Sequence, residues 1–171
     1  MNMVLNAQRN NRLALEWEKS EMTLAAYAAQ RHVPLSGTFE ITPRCNLKCK
    51  MCYVRLDRPQ MSDIGWELTA GEWIALAMEA ADAGTLSLLI TGGEPLIRDD
   101  FEELYTTLSN MGLIITLNTN ATLMNDRLFK LFKRYPPTAA NVTLYGASAE
   151  TYEKICGNPA GFEQTLRGLD M

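Results

Sequence analysis

From Gly37 onward, short apolar runs alternate four times with longer amphipathic stretches, an order that few folds accept. Phe39 and Ile41 mark a first short strand that runs into Pro43. Thr69-Ala70-Gly71-Glu72 has the form of a capping box, in which Thr69 caps a helix and Glu72 reaches back to it. Trp73, Ile74, Leu76, Ala77 and Ala80 then supply one buried helical face, which Gly84 ends. The run from Leu86 to Ile90 reads as a buried strand of the parallel kind. Asp99 and Asp100 start a second helix with a face of Phe101, Leu104, Tyr105, Leu108 and Met111, stopped by Gly112. Ile114 to Leu117 is a third strand, Asn125 to Tyr135 a third helix, and Val142 to Leu144 a fourth strand. Ser148 caps a helix through Tyr152 and Ile155, and a turn at Gly157-Asn158-Pro159 precedes a last helical stretch around Phe162 to Leu169. Strands and helices alternating at this pitch predict βαβ units on a parallel sheet, an α/β fold.

Residues 1 to about 33 read as a separate helical extension, with Leu13, Trp17, Leu24 and Ala28 near one face and Pro34 and Gly37 closing it. The expected organisation is an extension over 1–36 and an α/β core over 37–171. A chain of 171 residues with a formal charge of −4 is an ordinary globular composition, and the charge argues against nucleic acid as the main partner. No apolar run is long enough to span a bilayer, and the N-terminus lacks the apolar core of a signal peptide. The expectation is a cytoplasmic, reducing location.

In parallel α/β folds functional groups collect at the C-terminal ends of strands. Cys45, Cys49 and Cys52 follow the first predicted strand with the spacing C-x3-C-x2-C, and Gly92-Gly93-Glu94-Pro95 follows the second. Asn118 and Asn120 lie at the end of the third, and Thr143 with Tyr145-Gly146 at the fourth. All of these candidates therefore fall on one rim. Thiolates suit iron–sulfur clusters, and zinc nearly as well. Three close thiolates point to a cluster with one open iron, while a structural zinc site would recruit Cys156 as its fourth ligand. Cys156 lies far along the chain on a predicted helix, where a small buried or surface thiol is the default reading. Gly92 and Gly93 allow a close backbone approach to a ligand, and Glu94 supplies a carboxylate suited to an ammonium group.

C-x3-C-x2-C followed by Gly92-Gly93-Glu94-Pro95, with Leu144-Tyr145-Gly146 beyond, resembles the radical S-adenosylmethionine (SAM) superfamily. The run Cys45 to Tyr53 is similar to the SPASM-type branch, which modifies peptides and proteins. The resemblance implies a partial (β/α) barrel in which Cys45, Cys49 and Cys52 bind three irons of a [4Fe–4S] cluster and SAM chelates the fourth. It also implies that the Gly92–Pro95 segment meets the SAM amino group and that Asn118, Asn120 and Thr143 meet its ribose or carboxylate. Family members usually carry an aromatic residue just before the third cysteine; here Met51 stands there, whose thioether can pack on a purine face, and Tyr53 follows as the aromatic candidate at the adenine. Lys48, Lys50, Arg55 and Arg58 crowd the loop, either as a solvated surface or as cations for the SAM carboxylate. The implied activity is reductive cleavage of SAM for hydrogen abstraction from a peptide or protein, fed by a donor such as flavodoxin or ferredoxin. An iron–sulfur electron-transfer module without SAM turnover is the alternative, beside the zinc domain. Family cores usually have six βα units and this chain supplies four, so the expectation is an N-terminal portion with its fourth strand left as an edge.

Overall fold

Strands β1 (Ser36–Glu40), β2 (Ser87–Thr91), β3 (Ile114–Thr119) and β4 (Ala139–Val142) form one parallel sheet in the order β1-β2-β3-β4. The computed structural model describes residues 23–56 and 58–171. The chain divides into two units, Met1–Leu35 and Ser36–Met171. In the first, helix α1 covers residues 23–30. Of its predicted apolar face Ala28 is buried and Leu24 exposed, while Leu13 and Trp17 lie outside the described residues. In the second unit come α2 (Arg58–Ile64), α3 (Ala70–Asp82), α4 (Phe101–Asn110), α5 (Asp126–Arg134), α6 (Ala149–Cys156) and α7 (Gly161–Asp170). No helix among the described residues is long and apolar enough to cross a membrane.

The alternation of side chains along a strand decides which face is covered. Leu88, Ile90, Ile115 and Leu117 are buried on one face, against Ala77 of α3, Phe101, Leu104, Tyr105 and Leu108 of α4, and Leu128 and Leu131 of α5. The opposite face carries Thr38, Leu89 and Thr116 in one register row and Asn118 beside Asn141 in another. These side chains are at least partly accessible. That partly accessible face runs up to the rim from which the cysteine loop leaves β1 and the glycine turn leaves β2.

Several local signals act as the sequence predicts. Thr69 and Glu72 make the reciprocal capping box of α3 and Ser148 caps α6; Asn125, read as the first residue of the third helix, is instead the N-cap of α5. Other expectations are corrected. The fourth strand is Ala139–Val142, not Val142 to Leu144, because pairing of Thr116 with Ala139 and Thr119 with Val142 sets its extent at an exposed edge. Asp100 occupies the N-cap of α4 without capping it: its carboxylate accepts Arg98 Nε at 2.8 Å, Arg98 Nη2 at 2.7 Å and the Ala70 N–H at 3.0 Å. Leu76, placed on the buried face of α3, is exposed, since the close contact is made by Ala77. Helix α2 lies in a stretch, Arg58 to Ile64, where the sequence shows a basic loop and no apolar period.

Candidate functional site

The cysteine loop leaves β1 and is fastened at each successive step. Its root, Thr42 to Arg44, is held on one side by Glu67, whose carboxylate takes Arg44 Nε at 2.9 and 3.0 Å and the Thr42 hydroxyl. Buried Arg98 donates to the carbonyls of Ile41 at 2.7 Å and Leu68 at 3.0 Å, tying the same root to the loop before α3. Leu47, fully buried, packs with Tyr152 and Cys156. Beyond it, the Lys48 N–H donates to the Cys156 carbonyl at 2.8 Å and the Lys50 N–H to the Ile155 carbonyl at 3.0 Å. Those two bonds satisfy carbonyls that the end of α6 would otherwise leave unpaired, and Gly157 ends that helix in the left-handed conformation. The Leu56 N–H closes the loop onto the Pro43 carbonyl at 3.2 Å.

The Gly92-Gly93-Glu94 turn is pressed directly on that root. The Gly93 N–H donates to the Thr42 carbonyl at 2.7 Å and the Glu94 N–H to the Arg44 carbonyl at 2.8 Å. A Cβ on Gly92, which has φ +143°, would stand 2.4 Å from the Thr42 carbonyl oxygen, and one on Gly93 2.3 Å from that of Arg44. Both glycines are therefore required by the approach of the chain to itself.

Glu94 points inward and is fully buried. Its Oε1 accepts the Leu96 N–H at 3.0 Å and the Thr119 hydroxyl at 2.8 Å; its Oε2 accepts the Asn120 N–H at 2.7 Å. Three of the roughly four lone-pair positions of the carboxylate are thus taken by protein donors. Burial pushes the Glu94 carboxyl above its ordinary value, and the bonds from Asn120, Leu96 and Thr119 oppose that shift. A raised carboxylate pKa contributes stability below the ordinary value of 4.5 that is lost as the pH rises through the folded value. Glu94→Gln sets an amide nitrogen against backbone donors and is expected to cost about 1–3 kcal/mol. Because the variant lacks the titration, the difference in melting temperature from wild type should narrow from pH 4 to 8. Parallel melting curves of equal midpoint would sink this account of the carboxylate.

Of the remaining candidates, the structure gathers some and not others. Asn120 is buried and its amide reaches Cys45 Sγ at 3.8 Å. Asn118 accepts from Asn141 Nδ2 at 2.9 Å on the partly accessible face. Thr143 is exposed, just past β4, with its N–H on the Thr119 carbonyl at 3.3 Å. Tyr53 is 90% exposed and stands off from this group. Asn46, Glu67, Arg98 and Thr122, all in the site's framework, carry no sequence signal beyond being polar residues near turns; only the fold brings them to the loop.

Cys45 and Cys49 are half-buried and Cys52 is exposed. Burial raises the Cys45 thiol, the Leu47 N–H at 3.4 Å opposes this, and the charges of Glu94, Cys49 and Cys52 add to the rise. Cys52 Sγ accepts the Arg55 N–H at 3.3 Å. Cys156, remote in sequence, packs in one cluster with Cys45 and Cys49. Burial raises its pKa first, and a hydrogen bond to Cys49 raises it further. Among the described residues no three Cys, His, Asp or Glu side chains converge on a single metal-ion position. Ligands that each meet a different iron need no such point, and N–H donors aimed at the sulfurs are what cluster thiolates take. The donor set fits an iron–sulfur cluster.

A parallel βα sheet whose first two strand ends carry a three-thiol loop bonded to a glycine-rich turn defines an α/β fold with one candidate site on its rim. The radical SAM superfamily model matches residues 39–171, and the chain belongs to that superfamily of enzymes. An AdoMet-dependent heme synthase of Methanosarcina barkeri is 32% identical over 143 residues, covering 84% of this chain and 40% of the relative. A PqqA peptide cyclase of Bradyrhizobium diazoefficiens is 41% identical over 102 residues, 58% of this chain and 26% of the relative. Streptococcus suis SuiB bound to its precursor peptide SuiA shares the fold, with a TM-score of 0.67 at 21% identity over 88% of this chain and 33% of that one. The chain thus spans well under half the length of each of these relatives.

Proposed function

We propose that this chain is the catalytic portion of a radical SAM enzyme, in which Cys45, Cys49 and Cys52 hold a [4Fe–4S] cluster and SAM binds beside it on the rim. The observation that carries this is the direct bonding of the cysteine-loop root to the Gly92–Glu94 turn. Within the proposal, the backbone of Gly92 and Gly93 faces the SAM ammonium, and Glu94, buried behind it, holds the turn to Thr119 and Asn120. Asn118 and Thr143 line the way to its ribose or carboxylate, Asn120 closes the site on the cysteine side, and Tyr53 is the aromatic candidate for adenine. Bound together, cluster and SAM would supply hydrogen-abstraction chemistry through reductive cleavage of SAM; Cys45, Cys49, Cys52 and the Gly92–Glu94 turn would hold them and exclude water.

A peptide or protein substrate is supported by the relatives named PqqA peptide cyclase and sporulation killing factor maturation protein. The heme-synthase relatives set a porphyrin as the alternative. The proposed electron donor is a flavodoxin or ferredoxin in a reducing cytoplasm. Anaerobic reconstitution followed by EPR of the reduced protein is the test. A [4Fe–4S]+ signal that changes shape with SAM, together with 5′-deoxyadenosine formation under dithionite, is the expected result. A cluster signal indifferent to SAM would leave an electron-transfer module, and a colourless protein binding zinc stoichiometrically would overturn the assignment.

A further inference from the structure

Asn120 spends every polar atom on the protein. Its N–H donates to Glu94 Oε2 at 2.7 Å, and its carbonyl accepts the Thr165 hydroxyl at 3.1 Å. Its Oδ1 accepts the Thr122 N–H at 2.9 Å and the Thr122 hydroxyl at 2.6 Å. Its Nδ2 donates to Asn46 Oδ1 at 3.1 Å and Cys45 Sγ at 3.8 Å. Asn46 closes the ring by donating to the Thr122 hydroxyl at 2.7 Å. The Thr122 N–H can only donate, so it fixes the amide with oxygen towards Thr122 and nitrogen towards the sulfur. The turn is held from outside as well. Ala121 adopts φ +58°, a conformation that costs a non-glycine residue of order 1 kcal/mol. Helix α7 meets it so closely that a Cβ on Gly168 would lie 2.3 Å from the Ala121 carbonyl oxygen.

We propose that Asn120 is a positioning residue for the cluster: its side-chain amide orients Cys45 and donates to that sulfur, raising the potential at which the cluster accepts its electron. This rests on the reading of Cys45 as a ligand. Hydrogen bonds to cluster sulfurs stabilise the more negative, reduced state and so set the potential. Asn120 thereby links the Glu94 turn to the cysteine loop.

The test is an EPR-monitored redox titration of the reconstituted chain, with iron content and the melting temperature of the metal-free protein alongside. Asn120→Asp keeps the size and the acceptor towards Thr122 but replaces the donor with a charged oxygen; Asn120→Ala removes both. Both variants are expected to shift the potential to more negative values, Asp further than Ala, while the metal-free protein still folds with a melting temperature lowered by the lost bonds to Thr122 and Asn46. Cluster loss from a variant that still melts cooperatively also supports the proposal. Potentials equal to wild type at full iron content would overturn it. Loss of folding in both variants would overturn it too, making Asn120 a residue of the fold. A wild-type chain that takes up no cluster would instead remove the ligand assignment on which it rests, an outcome visible before any variant is made.

Discussion

Cys49→Ala protein, reconstituted anaerobically with iron and sulfide, is expected to hold no [4Fe–4S] cluster. Cluster cores are normally held by four ligands, and the proposed site offers three thiolates, so removal of one leaves too few bonds to keep the core. The change is small for the fold. Cys49 is half-buried beside Leu47, Tyr152 and Cys156, so loss of one sulfur should cost about 1 kcal/mol. For a chain of this length that lowers the melting temperature of the metal-free protein by roughly 2–4 °C. Iron content and visible absorbance therefore read ligation, and the melt reads folding. Cys156→Ala is the necessary companion, because the fold places Cys156 against Cys49 although the two are far apart in sequence. Undiminished iron in Cys156→Ala beside none in Cys49→Ala fits the three-thiolate site. Equal loss in both would point to four thiolates around one ion, as in structural zinc sites. Unchanged iron in Cys49→Ala would refute the assignment outright.

The Cys156 case shows where the sequence stops being informative. Periodic faces were legible: Phe101, Leu104, Tyr105 and Leu108 are all buried, as their spacing requires. Caps written in one turn of chain, Thr69 with Glu72 and Ser148 with the N–H of Thr151, form as their residue types require. Placement of the loop and the glycine turn at neighbouring strand ends followed from the alternation alone. What was not legible depends on partners distant in sequence. Ala139 to Val142 has weak strand character and pairs because β3 offers an edge. Asp100 is drawn from its helix by Arg98 and Ala70. Glu94 resembles a ligand-facing carboxylate in sequence, yet most of its acceptor capacity goes to Leu96, Thr119 and Asn120. No local pattern encodes such choices, because each is settled by which donor the folded chain brings near.

The glycine turn supplies the second large effect. Gly93→Ala is expected to cost the metal-free protein roughly 3–5 kcal/mol: overpacking against rigid atoms typically costs about 1–3 kcal/mol, and each lost hydrogen bond about 1 kcal/mol more. The new Cβ would lie 2.3 Å from the Arg44 carbonyl oxygen, 2.7 Å from the Arg44 carbonyl carbon and 2.9 Å from the Pro43 carbonyl oxygen. All three are backbone atoms and cannot rotate aside. The turn must lift from the loop root, breaking the bonds from Gly93 to Thr42 and from Glu94 to Arg44. At about 2–4 °C per kcal/mol the melting temperature should fall by roughly 10 °C. Gly71→Ala in α3 is the control, since its Cβ meets only the Thr69 hydroxyl oxygen at 4.0 Å, and alanine there should be neutral or slightly stabilising. The comparison separates two reasons for the glycine. Were close approach to SAM the sole constraint, Gly93→Ala would melt like wild type and lose only SAM binding. The contact with the Arg44 carbonyl requires the melt to fall before any cofactor is added, with cluster uptake falling alongside because the same displacement moves Cys45.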